Sequence, residues 1–310
     1  MDRGAEMVTM QQLKYFRELA KTGNQSKTAE KLYITQTTLS NTIKNMERQL
    51  GVSLFERSGR TLRMSRAGER YLVYVNEALT ALENAQRMLD DFKEDSSQSV
   101  SVAMTSSGVW SNLVYGFRTR YPTYNLRQVN GDKAEFRSML TEQHIDFVIT
   151  GLTDFPLSGL EYEILSHERL YLCVSKDHPL ADRKEIFLKE TCNEPFINLP
   201  ESSGFRGFCD DLFQKAGVDY RAVLECDYTL RGKLVEAGYG VAITTNTSRV
   251  QQILGKGIVY IPIGDSFAKR QVAIIWNPRH YLSRAAQNFR DFIREAKRGE
   301  QNEEVGMDFL

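Results

Sequence analysis

The sequence predicts an α/β protein whose N-terminal end is an all-α-dominated winged helix-turn-helix, joined by one long helix to a larger α/β region. Three observations predict this. Apolar residues recur at helical spacing on both sides of a tight turn between Ser26 and Gly51. A narrow apolar seam then runs from Leu72 to Leu89, interrupted by polar Gln86. From Val100 onward, short apolar runs alternate with helical stretches, the rhythm of a sheet covered by helices.

Residues 1–9 read as a flexible lead, with Met7 or Met10 as alternative starts. In the helix-turn-helix, Ser26 is a candidate N-cap, and Ala29, Leu32 and Tyr33 give the first helix an inward face, with Ile34 in the turn. Thr35 can cap the second helix by accepting a bond from a first-turn amide. Leu39, Ile43, Met46 and Leu50 follow at i, i+4, i+7 and i+11, a stripe that must be buried, and Gly51 suits the left-handed residue that closes a helix. Gln36, Thr37, Ser40, Asn41 and Lys44 remain outward. They are short hydrogen-bonding side chains and one cation, on the N-terminal half that a recognition helix presents to bases. An ordinary helical hairpin with a solvated polar face would share this pattern, but the flanks favour DNA. Residues 52–57 and 61–64 read as strands around a Ser58-Gly59-Arg60 turn, a wing carrying Arg57, Arg60, Arg63 and Arg66. Arginines there suit phosphate or minor-groove contact. Residues 1–75 hold 13 Lys plus Arg against 7 Asp plus Glu, whereas the whole chain balances 40 against 40. The neutral total hides a basic N-terminal end, and double-stranded DNA is the expected partner.

The long helix begins after Ser65, a candidate cap. Leu72, Val75, Leu79, Leu82 and Leu89 fall at a and d positions of a heptad, with Ala78, Ala85 and Phe92 as a flanking stripe. Such a helix spans on the order of 40 Å and, with so narrow a seam, needs a partner helix. A second copy of the chain is the expected partner, since soluble oligomers are mostly two-fold, and packing on the chain's own second region is the alternative. The polar run 93–99 marks a linker. Strands are expected at 100–104, 124–129, 147–150, 169–174, 195–199, 222–226, 240–244 and 271–276, in a parallel sheet. Helices are expected at 110–121, 134–143, 207–216 and 283–297, before a polar, acidic tail that frays.

Particular stretches add to this reading. The N-terminal ones are Leu13-Lys14-Tyr15-Phe16, Ala29-Glu30-Lys31-Leu32, Thr35-Gln36-Thr37-Thr38-Leu39-Ser40, Ile43, Leu50-Gly51-Val52, Leu54-Phe55-Glu56-Arg57 and Ala67-Gly68. Further on come Ile145-Asp146-Phe147, Asp177-His178-Pro179-Leu180-Ala181, Phe213-Gln214-Lys215-Ala216-Gly217 and Val235-Glu236-Ala237-Gly238-Tyr239-Gly240-Val241-Ala242. In this order and spacing they resemble the LysR-type transcriptional regulators over nearly the whole chain. The resemblance implies that Gln36, Thr37, Ser40 and Asn41 face bases, with Ser26, Thr35, Lys44, Arg57, Arg60 and Arg63 completing the DNA face. There are departures. Thr35 and Thr37 stand where the family usually has Ser and Pro or Ser, and Asn41 where Arg is common, which removes a guanine or phosphate contact and leaves the operator sequence open. The implied domains are a winged helix-turn-helix at 1–66, a dimerising linker helix at 67–95, an effector-binding domain at 96–298 and a flexible tail at 299–310. The effector domain would have the architecture of a periplasmic solute-binding protein, with lobe I at 96–164 and 266–298, lobe II at 165–265, and two crossover strands. A cytoplasmic homodimer or homotetramer is implied, with RNA polymerase as a further partner.

The resemblance places a small-molecule effector between the lobes, at the carboxyl ends of the strands, as open α/β sheets favour. Thr105, Ser106 and Ser107 open a helix where an anion is welcome. Asn130 and Asp132 follow the second strand, Ser202, Ser203, Phe205 and Arg206 follow Leu199, and Thr229 precedes the helix containing Val235. For any single Ser or Thr, helix capping is the alternative role. As a set they suit a small polar ligand, a carboxylate held by Ser106, Ser107 and Arg206, although Asp132 could instead select an amine. Cys173, Cys192, Cys209 and Cys226 lack C-x-x-C spacing, so neither zinc nor another cofactor is expected, and they read as buried small hydrophobes. Some LysR-type regulators sense peroxide through a cysteine pair in the region where Cys209 lies. No G-x-S-x-G, Walker loop or H-E-x-x-H occurs, and a non-enzymatic protein is expected. Two alternatives stand beside the regulator. One is a solute-binding protein with no regulatory role, against which no apolar leader follows Met1. The other is an architectural DNA binder with a non-functional cleft. No apolar run approaches the ~20 residues of a membrane span.

Overall fold

The structure is a computed structural model that describes residues 8–58, 61–91, 99–105, 110–153, 155–245, 250 and 257–301. The chain divides into two compact units, Met1–Arg87 and Met88–Leu310.

In the first unit, α1 (Met10–Thr22) starts from a reciprocal cap: the Thr9 hydroxyl accepts from the Gln12 amide, and the Gln12 side chain accepts from the Thr9 amide. Ordered structure therefore reaches into the stretch expected to be a flexible lead. Helix α2 (Gln25–Lys31) is capped by Asn24, not by Ser26, which lies inside it. It ends in a Schellman motif, with Tyr33 N–H on Glu30 O and Ile34 N–H on Ala29 O. That motif needs a left-handed residue, and here it is Tyr33 at φ 56, 97% exposed rather than inward as expected. A non-glycine residue in this region costs roughly 1–2 kcal/mol. Helix α3 (Gln36–Leu50) is capped by Thr35 and closed by Gly51 at φ 71.

Strands β1 (Phe55–Ser58) and β2 (Thr61–Met64) pair antiparallel, Phe55 opposite Met64. The strand starts at 55 rather than 52 because Leu54 is fully buried and the Glu47 carboxylate of α3 accepts from the Leu54 and Phe55 amides, at 2.7 and 3.1 Å. Helix α4 (Arg66–Asp91) follows Ser65, whose hydroxyl donates to Ser53 O and accepts from Gly68 N–H. Phe16, Leu19, Leu39, Met46 and Leu54 form one core with Val75 and Leu79 of α4. Val75 and Leu79, expected in a seam between copies, are thus covered within their own chain. What α4 leaves outward is a second stripe, Tyr74, Ala78, Leu82, Ala85 and Leu89.

The second unit runs β3 (Ser99–Met104), α5 (Ser111–Arg120), β4 (Asn125–Val129), α6 (Lys133–Thr141), β5 (Phe147–Gly151) and β6 (Glu161–Ser175). It continues through β7 (Pro195–Asn198), α7 (Gly204–Ala216), β8 (Arg221–Glu225), α8 (Tyr228–Glu236), β9 (Ala242–Thr245), β10 (Ile258–Pro262), β11 (Lys269–Trp276) and α9 (Arg284–Gln301). The main sheet has the order β10-β6-β11-β5-β3-β4, with β9 also on β6. Within this sheet β3 with β4 and β3 with β5 are parallel and the remaining pairs antiparallel, so the expected parallel sheet is a mixed one, while β7 and β8 pair parallel in a separate two-stranded sheet. The reason is β6. It runs 15 residues, and β11 returns beside it from Trp276 opposite Glu161 to Lys269 opposite Arg169. Both strands serve two lobes. The first lobe packs Leu113, Phe117, Phe289 and Phe292 on one face of the sheet and Phe136 and Leu140 on the other. In the second, α7 buries Phe205, Phe208, Leu212 and Phe213 over Leu170, Leu172, Phe196 and Ile243. No helix among the described residues is long and apolar enough to cross a membrane.

Gly68 marks the tightest point of the first unit. A Cβ there would lie 2.1 Å from the Leu54 carbonyl oxygen, a backbone atom that cannot swing aside. Gly68→Ala should destabilise this unit by roughly 1–3 kcal/mol, read by urea unfolding. A loss under about 0.5 kcal/mol would contradict the close approach.

Candidate nucleic-acid interface and inter-lobe cleft

Burial of Leu39, Ile43 and Met46 fixes which side of α3 faces out. Gln36, Thr37, Asn41 and Lys44 are exposed there and Ser40 is half-buried. Arg48 extends the same face one turn further; the sequence reading passed over it, although its i+4 spacing from Lys44 was the signal. Ser26, expected as a cap, instead donates its hydroxyl to Gln36 Oε1 at 3.1 Å. With its carbonyl engaged, Gln36 presents its amide hydrogens outward, toward acceptors such as guanine O6 and N7 or thymine O4. The Thr35 hydroxyl is taken by capping, 3.1 Å from the Thr38 amide, and is a positioning group rather than a free contact. No acidic residue sits in the first turn of α3, so the positive end of the helix is uncompensated and suits a phosphate. Tyr33 projects from the turn beside it. Arg63 is exposed on β2, while the side chains of Arg57 and Arg60 lie outside the described residues.

The cleft of the second unit forms where β3 and β5 end and α7 begins. Thr105, Lys133, Thr150, Gly151 and Thr153 come from the first lobe, Gly204, Phe205 and Phe208 from α7, and Arg270 from β11. They enclose ≈ 10 Å³, room for about one water. A wider hollow of ≈ 640 Å³ shares Thr153 and Arg270 and is lined also by His167, Glu168, Arg169, Lys269 and Gln271. Arg270 anchors the arrangement. Its Nε lies 2.5 Å from Glu168 Oε2, and its guanidinium carbon is 4.5 Å from the centre of the Phe205 ring. Lys133, at the start of α6, donates from Nζ to Thr153 O at 2.8 Å. Its shaft lies so close to Gly204 that a Cβ there would meet Lys133 Cε at 2.6 Å. A first-lobe lysine therefore touches the start of a second-lobe helix.

Several expected ligand residues sit elsewhere. Thr105 and Phe205 line the cleft, and Ser106 and Ser107 lie outside the described residues. Asp132 is the N-cap of α6, in a reciprocal cap with Glu135, so its Oδ1 is engaged in capping. Asn130 is exposed and accepts from Gln128. Helix α7 begins three residues earlier than the sequence suggests, which puts Ser203 at its N-cap position, Ser202 exposed before it, and Arg206 in its first turn. Arg206 is held by Asp210 through Nε and by Glu225 and Leu199 O through Nη1, so its charge is already matched by two carboxylates. Thr229 is exposed in the first turn of α8, under the Asp227 cap. Lys133 and Arg270 were missed; the Lys269-Arg270 pair heading an apolar strand was the available signal. Cys173 and Cys209 are buried as expected, but Cys192 is exposed and Cys226 half-buried. Among the described residues no cluster of His, Cys, Asp and Glu could hold a metal ion.

Comparison with known proteins matches residues 10–69 to the bacterial regulatory helix-turn-helix proteins of the lysR family and residues 93–298 to the LysR substrate binding domain. The transcriptional dual regulator GltC of Bacillus subtilis is 28% identical over 289 residues, covering 92% of this chain and 96% of that one. Among solved structures, full-length BenM superposes with a TM-score of 0.57 at 22% identity, over 94% of this chain and 98% of its own. Full-length CbnR complexed with its target DNA does so with a TM-score of 0.53 at 24% identity, over 93% and 99%.

Three substitutions separate reading from holding. Gln36→Ala should relax preference at one base pair by about 1–3 kcal/mol, and Ser26→Ala, which removes only its anchor, should act in the same direction more weakly. Lys44→Ala should weaken binding to all sequences alike. Titrations on operator and scrambled duplexes check this, and equal losses for Gln36→Ala on both would remove its base-reading role.

Proposed function

The chain belongs to the LysR family of bacterial transcriptional regulators, and we propose that it binds promoter DNA as a homodimer or homotetramer and is gated by a small carboxylate held between its two lobes. The observation that carries the effector class is Arg270. Its Nε is engaged by Glu168, while its terminal nitrogens have no acceptor among the described residues and face the cleft beside Gly151. A guanidinium so presented matches a carboxylate through paired charge-assisted bonds. Lys133 supplies a second cation, and the hydroxyls of Thr105 and Thr150 supply hydrogen bonds to its flanks. Arg169 and Lys269 at the wider mouth favour entry of an anion.

The mechanism follows from what the ligand displaces. A carboxylate on Lys133 competes with Thr153 O, and one on Arg270 changes how firmly the guanidinium lies against Phe205. Arg270 rests on Phe205 and Lys133 on Gly204, both at the start of the second-lobe helix α7, so the ligand shifts lobe closure by its differential affinity for the two states, and by no more than that. Altered closure would change the assembly, and with it half-site spacing and DNA bend. The dimer reading is supported by the outward stripe of α4, where Leu82 and Leu89 are each 52% exposed. RNA polymerase as a partner rests on family membership alone.

A panel of mono- and dicarboxylates with matched amines, titrated against the protein on its own upstream DNA, tests the effector. At least one carboxylate should shift the binding isotherm, and Lys133→Met, or Arg270→Lys, which keeps a cation for Glu168 but removes the guanidinium fork, should weaken that response tenfold or more, about 1.4 kcal/mol, with ligand-free DNA affinity kept. A response to amines alone would overturn the assignment. For the assembly, Leu82→Asp with Leu89→Asp should yield monomers in sedimentation, whereas Leu79→Asp should unfold the first unit; an unchanged mass for the double variant would refute the α4 interface.

A further inference from the structure

The second lobe encloses another cavity, of ≈ 10 Å³, lined by Asn198, Phe205, Arg206, Cys209 and Arg231 among apolar neighbours. Arg231 lies on α8 and is 3% exposed. Its guanidinium stacks on the Tyr228 ring at 4.5 Å, yet Nε and Nη2 find no acceptor, and no carboxylate pairs with it among the described residues. A guanidinium does not lose its proton in a protein, so this charge cannot be removed by titration. A buried charge persists only with a counter-charge or a full set of hydrogen bonds.

The neighbours do not supply one. Arg206 is itself cationic and is already matched by Asp210 and Glu225. The thiols of Cys173 and Cys209 are pushed up to about 12 by burial, against the opposing pull of Arg231, and stay neutral at physiological pH. One positive charge is therefore left over, beside a void the size of a water molecule.

We propose that this cavity binds a monatomic anion, chloride in the cell, on the unpaired nitrogens of Arg231. Size excludes polyatomic anions, since a carboxylate or phosphate exceeds a one-water space. The site also has a structural consequence. Phe205 lines both this cavity and the inter-lobe cleft, and two rings stand between two cations in the order Arg270, Phe205, Tyr228 and Arg231, with 4.5, 6.4 and 4.5 Å between successive members. An anion on Arg231 secures α8 against α7, and so holds the wall on which Arg270 rests.

Thermal unfolding of the full chain, with chloride exchanged for gluconate at constant ionic strength, tests the site. The wild type should show a saturable rise in the Tm of the second unit, on the order of 3 °C at a tenfold excess over Kd, with bromide acting as chloride does. Arg231→Met should lose that dependence. The same shift in Arg231→Met, or no difference between chloride and gluconate in the wild type, would overturn the proposal. Should Arg231→Met fail to fold, crystals of the wild type soaked in bromide decide: an anomalous peak at hydrogen-bond distance from Arg231 supports the site, and a water there with no such peak refutes it.

Discussion

Glu168 is a carboxylate 5% exposed at the place where β6 and β11 cross from one lobe to the other, and a buried carboxylate must have a cation. Arg270, opposite it on β11, is that cation. Removing one partner of such a pair typically costs about 3–5 kcal/mol, because the other is left buried and unmatched. The pair therefore ties the crossover strands together near one end of their shared ladder. It also aims a guanidinium at the cleft and sets it over Phe205, so the residue that pairs the crossover strands also lines the cleft. The same packing continues through Phe205 and Tyr228 to Arg231, which links the cleft wall to the interior of the second lobe.

The first unit depends on a similar economy of surfaces. Phe16 and Leu19 of α1 are covered by Leu39 and Met46 of α3 on one side and Val75 and Leu79 of α4 on the other. Glu47 and Ser65 then bind the wing to α3 and α4 through backbone groups, and the missing side chain at Gly68 lets the chain approach closely enough to do so. Burial of Leu39, Ile43 and Met46 fixes which side of α3 is presented, and Ser26 sets the orientation of Gln36 upon it. An apolar face left exposed is the second stripe of α4. Two stripes at adjacent angles on one helix thus differ in burial, one packed in the core of the unit and one exposed.

Much of this was legible from local patterns. The Thr35 cap, the stripe of α3, the left-handed Gly51 and the Ser65 start of α4 each depend on a few neighbouring residues, and each is found where spacing puts it. The strands 100–104, 147–150 and 271–276 likewise lie where apolar runs mark them. The failures share one character. Asp132 and Arg206 look like ligands because they are polar and near strand ends, but a helix start at Lys133 engages one and the acids Asp210 and Glu225 engage the other. Tyr33 looks apolar and inward, but the Schellman turn needs a left-handed residue there and swings it out. The first half of β6 is polar and alternates weakly, so only its apolar second half announced a strand.

By itself, then, the sequence determined the element types, the family, the basic end and the outward side chains of the recognition helix, since periodicity and capping are properties of a residue and its near neighbours. Only the tertiary structure decided that Val75 and Leu79 belong to the domain core, that the sheet is mixed, and that Lys133 and Arg270 rather than Arg206 face the cleft. Those outcomes depend on which distant residue a charge or an apolar face meets. Glu168 and Arg270 are 102 positions apart, and no local rule brings them together.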